Sequence, residues 1–173
     1  MQAKLVLEAL KSCGVTHVVG LPDNSAAALF PLLGPDAEVR LVTVSREGEA
    51  WAVACGLWIG GATPVVLIQN TGFLESGDGF RGTALRMRVP LLCLITCRGY
   101  SKDGKPPVDC VAGQLGVEWL SRPELDSAAL LTEPTLRAWE LPYDFLRDDA
   151  DLFPVYPPLS VAHKPNRGRS RCW

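Results

Sequence analysis

Pro64-Val65-Val66-Leu67-Ile68 is apolar at every position, and no other feature restricts the possible folds of this chain as strongly. A strand with one wet face alternates apolar and polar residues. An unbroken apolar run needs cover on both faces, which a parallel sheet obtains from helices packed above and below it. Similar runs recur at His17 to Leu21, Val39 to Val44 and Pro90 to Thr96. Between them lie segments whose apolar residues have helical spacing: Ala3 to Cys13, stopped by Gly14; Ser25 to Leu33, stopped by Gly34-Pro35-Asp36; and Glu47 to Ile59, stopped by Gly60-Gly61. Strands alternating with helices through short connections predict an α/β fold, a three-layer α/β/α arrangement around a mostly parallel sheet.

The rest of the chain is less regular. Leu74 to Met87 reads as a helix interrupted by Gly77 and Gly79, Ser101 to Pro107 as a loop, Ala112 to Leu120 and Pro134 to Glu140 as further helices, and Tyr143 to Leu146 as an edge strand. Beyond Asp148, Pro154, Pro157, Pro158 and Pro165 leave no room for a helix interior. The predicted organisation is one domain over residues 1–151, within the size a single core can support, and an irregular tail over 152–173.

Composition narrows the function. A net charge of −2 gives no basic footprint for nucleic acid, and no apolar run approaches the roughly 18 to 20 residues that cross a bilayer. Without a secretory pattern at the N-terminus, a cytoplasmic protein is expected. Its six cysteines are scattered through apolar contexts, where a reduced thiol acts as a small hydrophobe. Cys93 and Cys97 are spaced like a metal pair but lie in a strand-like run, and the chain has only two histidines, so no metal site is predicted.

Each predicted strand ends in a polar elbow: Pro22-Asp23-Asn24-Ser25, Ser45-Arg46-Glu47-Gly48-Glu49, Gln69-Asn70-Thr71-Gly72 and Cys97-Arg98-Gly99-Tyr100. One elbow alone is an ordinary turn satisfying its own backbone. In a parallel sheet all of them share one edge and can line one cleft. Glu47 and Glu49 both open the Ala-rich helix and both suit its N-terminal dipole. At about 100° per residue they point in different directions, and Glu47 shares a face with Ala50, Ala54 and Leu57. Glu47 is therefore the cleft acid, and Glu49 a surface or interface charge. Gly77-Asp78-Gly79 follows Leu74-Glu75-Ser76 instead of a strand and has no answering Asn before Asn166, so Asp78 is not read as a metal ligand. A P-loop, a Gly-x-Gly-x-x-Gly after the first strand and a Ser-His-Asp set are all missing from the sequence.

Gly20 to Ser25, Ser45 to Gly56, Pro64 to Gly72 and Pro90 to Gly99, in this order and spacing, resemble the pyrimidine-binding domain of thiamine diphosphate enzymes. Within that group they are similar to the separate alpha subunits of sulfopyruvate decarboxylase and to phosphonopyruvate decarboxylase. The resemblance implies that Glu47 is catalytic: its carboxyl donates a hydrogen bond to the cofactor's aminopyrimidine and favours the tautomer that activates the thiazolium, so that a 2-oxo acid loses carbon dioxide. It also implies that Pro22, Gln69, Asn70 and Thr71 lie at the cofactor, and Asn24, Asn70 and Arg98 at the substrate, a small anionic 2-oxo acid. Arg98 suits a sulfonate or phosphonate tail and equally a structural ion pair. In the superfamily the diphosphate and Mg2+ are held by another domain. The expected partner is thus a beta subunit that carries thiamine diphosphate's diphosphate end and the Mg2+. The alternative is a regulatory or interaction module that keeps the fold without the reaction, and a lyase joining two carbonyl fragments would share the early steps.

Overall fold

The computed structural model describes residues 1–101, 104–108, 115–152 and 171–172. Strands β1 (His17–Gly20), β2 (Arg40–Thr43), β3 (Pro64–Gln69), β4 (Leu92–Thr96) and β5 (Arg171–Cys172) form one sheet in the order β2-β1-β3-β4-β5, and every neighbouring pair is parallel. Helices α1 (Ala3–Ser12) and α2 (Phe30–Leu33) cover one face. On the other lie α3 (Glu47–Ile59), α4 (Asn70–Glu75), α5 (Gly77–Phe80) and α7 (Ser127–Ala138), while α6 (Val117–Leu120) packs beside α7. The α/β/α prediction holds.

The apolar run Pro64 to Ile68 is the middle of the sheet. Val65, Val66, Leu67 and Ile68 are all buried, with Val65 and Leu67 in the core beneath α1 and Val66 and Ile68 in the core beneath α3. This is the two-face cover that a run without polar alternation requires. Trp51 and Phe80 are fully buried at the centre of the second core with ring centroids 4.7 Å apart, and Trp139 stacks on Phe80 at 5.5 Å. The helix that begins at α5 continues into a π-helical turn, Arg81–Leu85, and packs alongside α3.

Several expectations need correction. Ser25 to Leu33 is helical only over Phe30–Leu33: the Asp23 carboxylate accepts from Ser25 N and Ala26 N at 2.6 and 3.2 Å, and this side-chain turn holds the chain in tight turns before the helix starts. The helix expected from Pro134 starts at Ser127, because Asp126 caps it through Ala128 N and Ala129 N, leaving Pro134 buried in its interior. Tyr143 to Leu146 contributes an isolated bridge at Tyr143 and no strand. Side chains hold that segment instead, with the Tyr143 hydroxyl donating to Glu133 at 2.7 Å and Phe145 packing on Tyr143 and Tyr100. Of Ala112 to Leu120, Val117–Leu120 is helical and 112–114 lie outside the described residues. The tail expected to be irregular supplies β5, whose Arg171 and Cys172 stand opposite Leu92 and Cys93; residues 153–170 lie outside the description.

Candidate active site

The order β2-β1-β3-β4 reverses direction between β1 and β3, since the chain leaves β1 toward β2 and returns to the other side as β3. At such a switch point the connections diverge and leave a crevice at the carboxyl ends of the strands. Gly20, the last residue of β1, stands opposite Leu67, and a Cβ there would collide with the Leu67 carbonyl, so this pair of strands closes without room for a side chain.

Above the switch point one network ties the first and third elbows to the end of β4. Gln69 Nε2 donates to Asp23 Oδ1 and to Ser25 Oγ, both at 3.3 Å, and Gln69 Oε1 accepts from Thr71 Oγ1 at 2.7 Å. Thr96, at the end of β4, donates to Asp23 Oδ2 at 3.4 Å. Asp23 is the hub, a role that the sequence analysis did not assign to it. Its Asp-x-Ser spacing was the available signal.

Asn70 is fully buried and its amide bridges two elbows: Nδ2 donates to Arg98 O at 2.9 Å, while Oδ1 accepts from Arg98 N at 3.2 Å and Thr71 N at 3.1 Å. This amide-to-peptide pairing extends the contact between the third and fourth elbows past the end of the β3–β4 ladder. At 0% exposure the side chain is not presented to the cleft. Arg98 Nε meets Asp126 Oδ2 at 2.9 Å, the structural ion pair of the two alternatives, with the Arg98 side chain 59% exposed. Pro22 and Asn24 are exposed, and among the described residues the Asn24 side chain makes no hydrogen bond.

The two acids of the second elbow separate as their helical positions required. Glu49 reaches back so that its Oε2 accepts from Ser45 N at 3.0 Å, tying the first turn of α3 to the residue ahead of its N-cap. Glu47 is half-buried and lies across Gly72 of α4; among the described residues its carboxyl makes no hydrogen bond or ion pair. The start of α3 is fixed around it. Arg46 pairs with Glu75 at 2.7 Å, Gly48 packs its backbone on Gly79, and the buried Trp51 Nε1 donates to Ser76 Oγ at 2.8 Å. A half-buried carboxyl without a protein partner, held at the sheet's carboxyl edge, is free to hydrogen-bond a ligand ring nitrogen. The residues present therefore fit the pyrimidine end of the cofactor that the resemblance implied.

Comparison with known proteins identifies the family. Residues 2–125 match the family described as thiamine pyrophosphate enzyme, N-terminal TPP binding domain. The chain belongs to this family. It is 31% identical over 149 residues to a phosphonopyruvate decarboxylase of Streptomyces viridochromogenes, covering 79% of this chain and 38% of that protein. It is 27% identical over 101 residues to the sulfopyruvate decarboxylase subunit alpha of Methanococcus maripaludis, covering 58% of this chain and 60% of that one. The chain thus spans about two-fifths of the length of the phosphonopyruvate decarboxylase it resembles. In fold it is similar to benzoylformate decarboxylase of Polynucleobacter necessarius, with a TM-score of 0.60 at 17% identity over 98% of this chain and 29% of that one.

A cavity of about 400 Å³ lies away from Glu47, along the β4 edge beyond the residues that β5 covers. Its walls include Val6, Leu94, Cys97, Tyr100, Glu133 and Tyr143, and it shares only Ser25 and Thr96 with the elbow network. Burial pushes the Cys97 thiol up to about 11 and the Tyr143 hydroxyl up to about 12, with the Glu133 carboxylate adding to both, and it raises Tyr100 as well. Groups held neutral in this way make a lining for apolar contact and not for acid–base work. Among the described residues no cluster of His, Cys, Asp and Glu is arranged to hold a metal ion, and no helix is long and apolar enough to cross a membrane.

Proposed function

We propose that this chain is the pyrimidine-binding half of a thiamine diphosphate-dependent 2-oxo acid decarboxylase of the sulfopyruvate or phosphonopyruvate type. A separate beta subunit completes it by holding the diphosphate and Mg2+. The observation that carries this reading is the unpartnered carboxyl of Glu47 at the switch-point edge, in a chain of this family. When bound, the cofactor supplies the electron sink for loss of carbon dioxide. Glu47 would hold a proton on its carboxyl and donate it to a pyrimidine ring nitrogen. Gln69 and Thr71, locked to each other and to Asp23, form the floor beneath, and Asn24 offers a free amide at the rim for the carboxylate of a small anionic 2-oxo acid. Arg98 spends Nε on Asp126 and, among the described residues, keeps its other N–H donors for a sulfonate or phosphonate tail. Asn70 serves by joining elbows and not by touching substrate.

Two observations support a second chain. Relatives of this length are named subunit alpha, and the phosphonopyruvate decarboxylases extend well beyond the matched region. In addition, α3 is apolar on its outer side as well, with Val53 37%, Ile59 62%, Leu85 41% and Met87 52% exposed on α3 and the neighbouring helical turn. A helix apolar on all sides is ordinarily buried. This one begins at Glu47, so a chain closing over the carboxyl meets that face next. A cytoplasmic location goes with the proposed chemistry.

The test is co-expression with the chain encoded beside it, followed by measurement of carbon dioxide release from sulfopyruvate and phosphonopyruvate with thiamine diphosphate and Mg2+. Glu47→Gln keeps the shape and removes the acid. It is expected to lower turnover by about 100-fold or more, with a melting temperature within about 1 °C of the parent because no protein hydrogen bond is lost. Unchanged turnover in this variant defeats the assignment.

A further inference from the structure

We propose that Gly72 is a positioning residue for Glu47, its missing side chain being the space in which the carboxyl is held. A Cβ at residue 72 would lie 2.5 Å from Glu47 Oε1 and 2.6 Å from Cδ, and closer still to Cγ. Gly72 is buried in α4 and its backbone is not among the positive-φ positions, so conformational need does not explain a glycine here. The neighbouring side chain does. Because the collision reaches Cγ, turning the carboxylate alone cannot relieve it, and the whole Glu47 side chain has to leave its place.

Neither helix has room to retreat. On the α3 side, Gly48 already rests on α5: a Cβ at Gly79 would stand 2.7 Å from Gly48 O and 3.1 Å from its Cα. The Trp51–Ser76 hydrogen bond fixes the next turn. On the α4 side, Asn70 clamps the helix start to the Arg98 peptide. Paired glycines thus bring α3 down onto α4 and α5, one admitting the Glu47 side chain and the other the Gly48 backbone. The consequence for turnover rests on the catalytic reading of Glu47; the steric coupling does not.

A double-mutant cycle on the full chain, read by thermal unfolding, separates the two. Gly72→Ala is expected to lower the melting temperature by about 2 °C or more with Glu47 present, and to leave it unchanged or raise it in a Glu47→Ala background, where alanine's helix preference is no longer opposed. Gly79→Ala serves as control. It meets backbone, so its cost is the same in both backgrounds. Equal shifts from Gly72→Ala in the two backgrounds, or none in either, overturn the proposal. If Gly72→Ala does not fold alone, folding of the double variant supports the coupling, and its failure to fold overturns it. In the reconstituted complex, turnover of Gly72→Ala is expected to fall to that of Glu47→Ala, the double variant being no slower. Full turnover in Gly72→Ala also overturns the proposal. A parent complex without activity sinks the decarboxylase reading while leaving the unfolding cycle intact.

Discussion

At the scale of single residues, the elbows divide into groups that hold the site and groups that are left free. Asn70 illustrates holding. Its amide reproduces a backbone pairing with Arg98 at two atoms, so Asn70→Ala removes the partner of the Arg98 N–H and C=O and should cost about 1 to 2 kcal/mol, measured by denaturant unfolding. Asp126 does a similar double duty, capping α7 and pairing with Arg98. The cap accounts for most of its value, because the Arg98 side chain is 59% exposed and an exposed ion pair adds little. Among the described residues the Glu47 carboxyl has no hydrogen bond or ion pair, which is why its removal is predicted to alter chemistry and not stability. Cys97 marks the opposite case. Its thiol is held up to about 11, chiefly by burial, so alkylation by iodoacetamide at pH 8 should be many-fold slower at Cys97 than at a free cysteine in solution, read by mass spectrometry.

Between elements, the junctions carry the pH response. Lys11 near the end of α1 meets Asp36, ahead of β2, at 2.7 Å, and also Glu38 at 3.1 Å. The Lys11 ammonium, helped by the Val39 N–H, holds the Asp36 carboxyl down from 3.8 to about 2. A carboxyl depressed in the folded state stabilises above its unfolded pKa and loses that contribution as pH falls through the folded value. The α1–β2 junction should therefore weaken as pH drops from about 4 to about 2, and Asp36→Asn should flatten this part of the acid-unfolding profile. The α3–α4–α5 junction is of another kind. It is set by steric fit at Gly72 and Gly79 and by the buried Trp51–Ser76 bond, and carries no comparable charge pair except the exposed Arg46–Glu75 contact.

Across the whole molecule, the parallel sheet brings four chain-distant elbows to one edge and leaves the outer face of α3 apolar and bare. If that face receives the completing subunit, Val53→Glu should reduce co-purification of the partner by about tenfold while the chain's own melting temperature stays put, since Val53 is already partly in water. The alternation of apolar strands with helices, the boundaries of α3 at Glu47 and Ile59, and the separation of Glu47 from Glu49 were all legible in the sequence, because each follows from local periodicity, turn residues and the 100° step of a helix. The starts of the helices that follow Asp23 and Asp126 were not legible, since one carboxylate shifts a helix start by several residues while the apolar spacing stays the same. What only the tertiary structure decided was the use of each polar group. Asn70 and Arg98 are 28 residues apart, as Asp23 and Thr96 are 73, and nothing local records that they meet. The sequence placed Glu47 at the edge of the sheet. Its freedom from partners, and the glycine that makes room for it, arise from the packing of α3 on α4, a long-range fit that residue spacing along the chain does not encode.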